Sequence, residues 1–271
     1  MQDRLAATFS ALAKRNERAL ICYVVAGYPD TRATESAIDA LVAGGADVIE
    51  LGIPFSDPIA DGPTIQQATH NALEAGITPD KALAIAKAAR KQPPGLPILI
   101  MTYSNILVRA GIDNLVAKAK AAGIDGFILP DLPVEEAGDY LVSAKKHGMA
   151  TAFLASPNTS DERLEKIVAS STGFVYLVSI YGITGARKGF EGYTSDAIRK
   201  AKEAAAGRIP VGVGFGISTP QHARFMIDAG ADAIIVGSAI VDRMEGNKKA
   251  MAVELKGFAS SLKKACRQHK A

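Results

Sequence analysis

Eight short apolar runs recur along the chain, at residues 20–26, 48–51, 97–102, 126–130, 150–154, 174–178, 210–213 and 233–236. Their apolar residues follow one another without polar alternation, which predicts strands buried on both faces, as in parallel sheet. Between the runs, apolar positions return every three or four residues. This predicts helices over 33–43, 64–91 with a break at Pro79, 112–122, 134–147, 161–170, 195–206, 220–229 and 247–270. An amphipathic stretch over 1–18 adds a helix before the first strand. Three joints share one pattern: Ala43-Gly-Gly-Ala-Asp-Val-Ile-Glu50, Ala122-Gly-Ile-Asp-Gly-Phe-Ile-Leu129 and Ala229-Gly-Ala-Asp-Ala-Ile-Ile-Val236. In each a helix ends, glycine takes a left-handed conformation at the cap, aspartate turns the chain, and a buried strand begins. With no Pro/Ser-rich linker, these units predict one α/β domain spanning 1–271, a (β/α)8 TIM barrel with an extra N-terminal helix. A doubly wound open sheet is the competing topology, because the pattern counts strands more readily than it reveals closure.

At 48% hydrophobic and 22% charged, the chain has the apolar content of a packed core, which excludes disorder. Its runs fall well short of the roughly 18 apolar residues of a membrane span, and charges interrupt residues 1–18 where a secretory signal would be apolar. A cytoplasmic protein without membrane contact is expected. Cys22 and Cys266 form no C-x-x-C pair and no metal-ligand spacing, so no metal is expected. His70, His147, His222 and His269 fall on predicted helices, away from strand ends, and none joins the candidate site. Net charge is only +3, and the lysines of 248–270 lie on one helix without an aromatic platform, as on a solvated face rather than a nucleic-acid surface.

In a barrel of this kind, chemistry sits on the loops that follow the strands. Glu50 ends the second run, an acid where burial calls for a hydrophobe, and Asp61 follows eleven residues later across a Pro- and Gly-rich loop. Burying an unpaired carboxylate costs several kcal/mol, roughly, and two carboxylates in different environments can divide acid–base work. Structural readings stay open: Glu50 paired with a buried hydroxyl, and Asp61 capping the helix that begins near Pro63. Gly-containing loops at 181–185, 214–218 and 237–239 follow the last three strands, and each can point N–H groups at an anion such as phosphate. Tight turns would use the same glycines. The G-x-G-x-G at 212–216 has neither the spacing nor the early position of a dinucleotide fingerprint, so no nicotinamide cofactor is expected.

The run Glu50-Leu-Gly-Ile-Pro-Phe-Ser-Asp-Pro-Ile-Ala-Asp-Gly-Pro-Thr-Ile-Gln66 closely resembles the tryptophan synthase alpha subunit. So do Met101-Thr-Tyr-Ser-Asn105, Leu129-Pro-Asp-Leu-Pro133, Gly182-Ile-Thr-Gly185 and Gly214-Phe-Gly-Ile-Ser218, and the match runs nearly end to end. The resemblance implies a carbon–carbon lyase of tryptophan biosynthesis, which cleaves indole-3-glycerol phosphate to indole and glyceraldehyde 3-phosphate by a retro-aldol step. It implies Glu50 as the acid–base, Asp61 as the group that receives the indole N–H and stabilises the developing cation, and Tyr176 as a residue orienting Glu50 or the substrate hydroxyl. It further implies an indole slot of Tyr23, Met101, Ile128, Leu154, Phe215 and Ile235. Thr184 would contact Asp61, and Gly185, Gly216, Gly237 and Ser238 would hold the phosphate ester. Ile180 departs from the pattern, standing where many bacterial members carry Arg, with Arg187 as a possible substitute. The implied partner is a beta subunit bearing pyridoxal phosphate, in an alpha2-beta2 complex that docks on loop 54–60, with Asp57 and Pro58 at its tip, and on Asn105. No cofactor is then needed in this chain. Two rivals remain. Another phosphosugar barrel, an isomerase or decarboxylating aldolase, would use the glycines but not the carboxylate pair, and a silent activating subunit would need neither carboxylate.

Overall fold

The computed structural model describes residues 3–90, 95–178, 187–214, 216–245 and 248–267. The chain runs α1 (Arg4–Lys14), β1 (Ala19–Val25), α2 (Thr31–Ala43), β2 (Val48–Gly52), α3 (Pro63–Glu74), α4 (Pro79–Ala89), β3 (Ile98–Met101), α5 (Ser104–Ala110), α6 (Ile112–Ala121), β4 (Gly126–Ile128) and α7 (Gly138–His147). It continues through β5 (Ala150–Ala152), β6 (Leu154–Ala155), α8 (Asp161–Ser170), β7 (Val175–Val178), α9 (Arg187–Ala205), β8 (Val211–Gly214), α10 (Pro220–Asp228), β9 (Ala233–Val236), α11 (Ser238–Val241) and α12 (Lys248–Ala265).

All neighbouring strands are parallel, in the order β5-β4-β3-β2-β1-β9-β8-β7-β6. The two ends of that order, β5 and β6, are halves of the one strand expected over 150–154, separated only by Phe153. β5 pairs with β4 and β6 with β7, and the Phe153 carbonyl accepts the Tyr176 N–H at 2.9 Å, so the sheet returns on itself through a single residue. The barrel is expected and found; the open doubly wound sheet is not.

Strand burial explains the unbroken apolar runs. Alternate residues face opposite sides, and both sides are covered. Ile21, Val48, Leu99, Ile128, Phe174 and Ile235 fill the interior, where Leu5, Phe9 and Leu12 of α1 join them and plug the end at which the strands begin. Leu20, Val24, Ile49, Leu51, Ile98 and Ile100 pack outward against the helix layer, against Ile38 and Leu41 of α2 among others.

The repeated joints are built alike. Gly45, Gly123 and Gly230 take φ of 106°, 87° and 109°, where a side chain would be strained. The aspartate two positions on reaches back to an N–H at the start of the preceding strand: Asp47 to Leu20, Asp125 to Ile98 and Asp232 to Val211, each at 2.8 Å. A helix cation then covers each carboxylate: Lys263 on Asp47, Arg90 with Arg4 on Asp125, and Lys202 on Asp232.

Differences from the expected elements have local causes. The break at Pro79 is real, with Thr78 capping α4 through the Lys81 N–H. Helix α5 was not foreseen; its cap comes from another loop, where Asp131 accepts both the N–H and the hydroxyl of Ser104. Helix α11, four residues long, is too short to show periodicity. Helix α9 starts at Arg187 rather than near 195, through a stretch whose glycines read as loop.

Candidate active site

Glu50 shares its strand face with Val48 of the interior, and its register neighbours are Tyr23 on β1 and Leu99 on β3. The side chain is 1% exposed, and neither carboxylate oxygen meets a hydrogen-bonding partner among the described residues. Burial, and after it the negative charge of Asp61, pushes the Glu50 carboxyl from 4.5 up to about 8. Among the described residues no buried hydroxyl pairs with Glu50.

Asp61 does not cap α3. Gly62 occupies the cap position with no side-chain bond, and Pro63 opens the helix. The Asp61 carboxylate instead accepts the Tyr103 hydroxyl at 2.9 Å, while its backbone carbonyl accepts Gln66 Nε2 at 2.8 Å. Burial raises the Asp61 carboxyl to about 6, and the Tyr103 bond holds it below where burial alone would put it. At neutral pH the two acids therefore differ: Glu50 holds its proton and Asp61 is ionised.

Two tyrosines complete the chamber. Tyr23 and Tyr176 are buried, and their phenols are raised well above the ordinary value, first by burial and then by the charges of Glu50 and Asp61. Their rings lie over glycines of the next strand; a Cβ on Gly52 would overlap the Tyr23 hydroxyl, and one on Gly214 the Tyr176 hydroxyl. Nothing larger than glycine leaves room there. Below them Phe174 links Tyr176 to Phe9 of the plug, with ring centroids 6.2 and 6.3 Å apart.

Met101, Ile128, Leu154 and Ile235 line the same interior, Ile128 and Ile235 buried and Met101 and Leu154 half-buried. Apolar side chains thus surround the acids, the kind of lining an indole ring would require. Gly237 precedes α11 and approaches Tyr23, since a Cβ there would lie 3.4 Å from its Cδ1; Ser238 opens that helix and is exposed. Gly216, with φ of 76°, is exposed on the loop after β8, and its carbonyl lies 3.2 Å from Nδ1 of His222, a histidine expected to stay clear of the strand ends. Thr184, Gly185 and Phe215 lie outside the described residues, as do Ile180 and the side chain of Arg187.

One residue of the site went unassigned at the sequence level. Tyr103, just past β3 in the Met-Thr-Tyr-Ser-Asn motif, holds Asp61 and stacks on Phe55 at 5.0 Å between centroids. Its place immediately after a barrel strand was the available signal.

The family model described as tryptophan synthase alpha chain matches residues 9–269. The chain belongs to the tryptophan synthase alpha-chain family. It is 44% identical to the tryptophan synthase alpha chain of Methanosarcina barkeri over 270 residues, covering 97% of this chain and 99% of that one. It is 43% identical to that of Geobacter sulfurreducens over 264 residues, covering 97% and 98%. Among solved structures it is similar to the tryptophan synthase alpha subunit of Legionella pneumophila, with a TM-score of 0.88, 34% identity and coverage of 98% and 99%. It is also similar to a chain of the aminoacrylate-bound tryptophan synthase of M. tuberculosis, with a TM-score of 0.86, 35% identity and coverage of 97% and 99%. With the family comes the reaction, the lyase cleavage of indole-3-glycerol phosphate in tryptophan biosynthesis. Among the described residues no helix is long and apolar enough to cross a membrane, and no group of three or more His, Cys, Asp or Glu is placed to hold a metal.

Proposed function

We propose that Glu50 and Asp61 carry out this cleavage in the roles their environments favour. The observation that supports the reading is the pair of displaced acids in one apolar chamber, Glu50 raised to about 8 and Asp61 to about 6. Protonated Glu50 delivers its proton to indole C3, which becomes tetrahedral as positive charge develops at the ring nitrogen; ionised Asp61 accepts the N–H and stabilises that charge. The Glu50 carboxylate then takes the proton of the glycerol hydroxyl. The carbonyl forms, the bond from C3 to the glycerol chain breaks, and its electrons return to the ring. The proton given in the first step is recovered in the second. Tyr176 orients Glu50 or the hydroxyl, the slot of Tyr23, Met101, Ile128, Leu154, Phe215 and Ile235 takes the indole, and Thr184, Gly185, Gly216, Gly237 and Ser238 serve Asp61 and the phosphate.

The same reading makes the chain a single cytoplasmic domain that needs no cofactor. It works in an alpha2-beta2 complex whose beta subunit carries the pyridoxal phosphate. The docking face is loop 54–60 with Asn105, which lies on α5 rather than on a loop. Support comes from apolar side chains standing in the open around it, Ile59 at 82% and Val108 at 66% exposed. Incubating the purified chain with indole-3-glycerol phosphate and following indole release tests the reading: Glu50→Gln and Asp61→Asn should each lose about 10²-fold or more of the rate, and undiminished turnover in either would refute its role.

A further inference from the structure

Tyr103 meets the loop between β2 and α3 at both of its ends. Its ring stacks on Phe55, where the loop leaves the strand, with planes 29° apart. Its hydroxyl oxygen accepts the Ala60 N–H at 3.1 Å and contacts Asp61 Oδ2 at 2.9 Å, where the loop returns. The tyrosine itself is anchored independently of that loop. It is buried at the start of α5, and the next residue, Ser104, is tied by its N–H and its hydroxyl to Asp131 on the loop after β4. The direction of the bond to Asp61 is also settled: an amide can only donate, so the phenol accepts from Ala60 and has its own hydrogen for the carboxylate.

We propose that Tyr103 is a positioning residue for the cleavage: by donating its hydroxyl hydrogen it aims the Asp61 carboxylate into the barrel and stabilises its charge. This rests on the role given to Asp61 above. The other groups that act on Asp61 do not perform this task. Glu50 from β2 holds its proton at neutral pH and contributes negative charge above it, while Tyr23 from β1 and Tyr176 from β7 are neutral phenols. Asp131 acts on Tyr103. Among the described residues Tyr103 is the one hydrogen-bonded to the Asp61 side chain.

The test is the pH dependence of indole release by the complete chain. Phenylalanine at 103 keeps the stack on Phe55 and removes both hydrogen bonds. Tyr103→Phe should move the acid limb of kcat/KM upward by about one pH unit, lowering kcat/KM at pH 6 about fivefold, with inhibition by glycerol phosphate unchanged. Placing 3-fluorotyrosine at 103, a more acidic phenol and a stronger donor, should move the limb downward, and it decides the matter alone should the phenylalanine variant not fold. An acid limb that stays in place, or a loss of activity that merely follows a lowered melting temperature, overturns the positioning role. Asp61→Asn separates the two layers. Retained turnover there would sink the reading of Asp61, whereas an inactive Asp61→Asn beside an unmoved limb sinks only the role of Tyr103.

Discussion

Replacing Glu50 by glutamine should stabilise the fold at alkaline pH while stopping the reaction. The carboxyl is buried, is unpaired among the described residues, and holds its proton up to about 8 instead of the usual 4.5. Below pH 4.5 it is protonated in both the folded and the unfolded chain, and its ionisation leaves stability unaffected. Between 4.5 and 8 the unfolded chain releases a proton that the folded chain keeps, so stability falls throughout that window and levels off above it. At about 1.4 kcal/mol per pH unit, the loss reaches on the order of 4 kcal/mol by pH 8, an upper figure because water penetration and relaxation soften burial. Glutamine has the same shape and does not titrate. Asp61, raised to about 6, is present in both proteins and cancels in the comparison. Urea unfolding followed by circular dichroism at pH 5 and pH 8 measures the difference: the variant's advantage over wild type should grow by several kcal/mol between the two, roughly, on this linkage. An advantage of equal size at both pH values would show that Glu50 is ionised in the folded protein, and the acid role assigned to it would fall.

Gly237→Asp places a negative charge at the start of α11 and should raise KM for indole-3-glycerol phosphate about tenfold or more with a smaller effect on kcat. Equal protection of variant and wild type by inorganic phosphate in a melting experiment would put the anion elsewhere. On mixing with a cognate beta subunit, wild type should co-elute with it and release indole faster. Pro58→Ala or Asn105→Ala should lower that activation more than the basal rate, and neither co-elution nor acceleration with wild type would remove the partner from the reading.

Much of this architecture is legible in the sequence, for a physical reason. Parallel strands buried on both faces leave continuous apolar runs, and a joint that needs a positive φ followed by a backbone-binding carboxylate leaves a Gly and an Asp two positions apart, as at Gly45 and Asp47. What escaped is what tertiary contacts decide. Helix α5 depends on Asp131 from another loop, and the fifth strand divides at Phe153 because its two halves pair with different neighbours. Glu50 stood out as an acid inside an apolar run. Asp61 remained ambiguous because Asp-Gly-Pro also suits a helix start, and only the Tyr103 bond, made 42 residues away in sequence, turns it toward the chamber.

The three aspartate joints have a consequence for how this barrel tolerates change. All of them grip the strands where they begin, on the rim away from Glu50 and Asp61, and each fixes one strand against the next with a side chain that belongs to neither the loops of the active rim nor the chemistry. Alignment of the staves is thus secured at the foundation, and the roof is left to be rewritten. A lineage can lengthen, shorten or recolour the loops above the chamber without loosening the strands beneath, so new substrates are within reach of the same frame by replacing its upper edge alone.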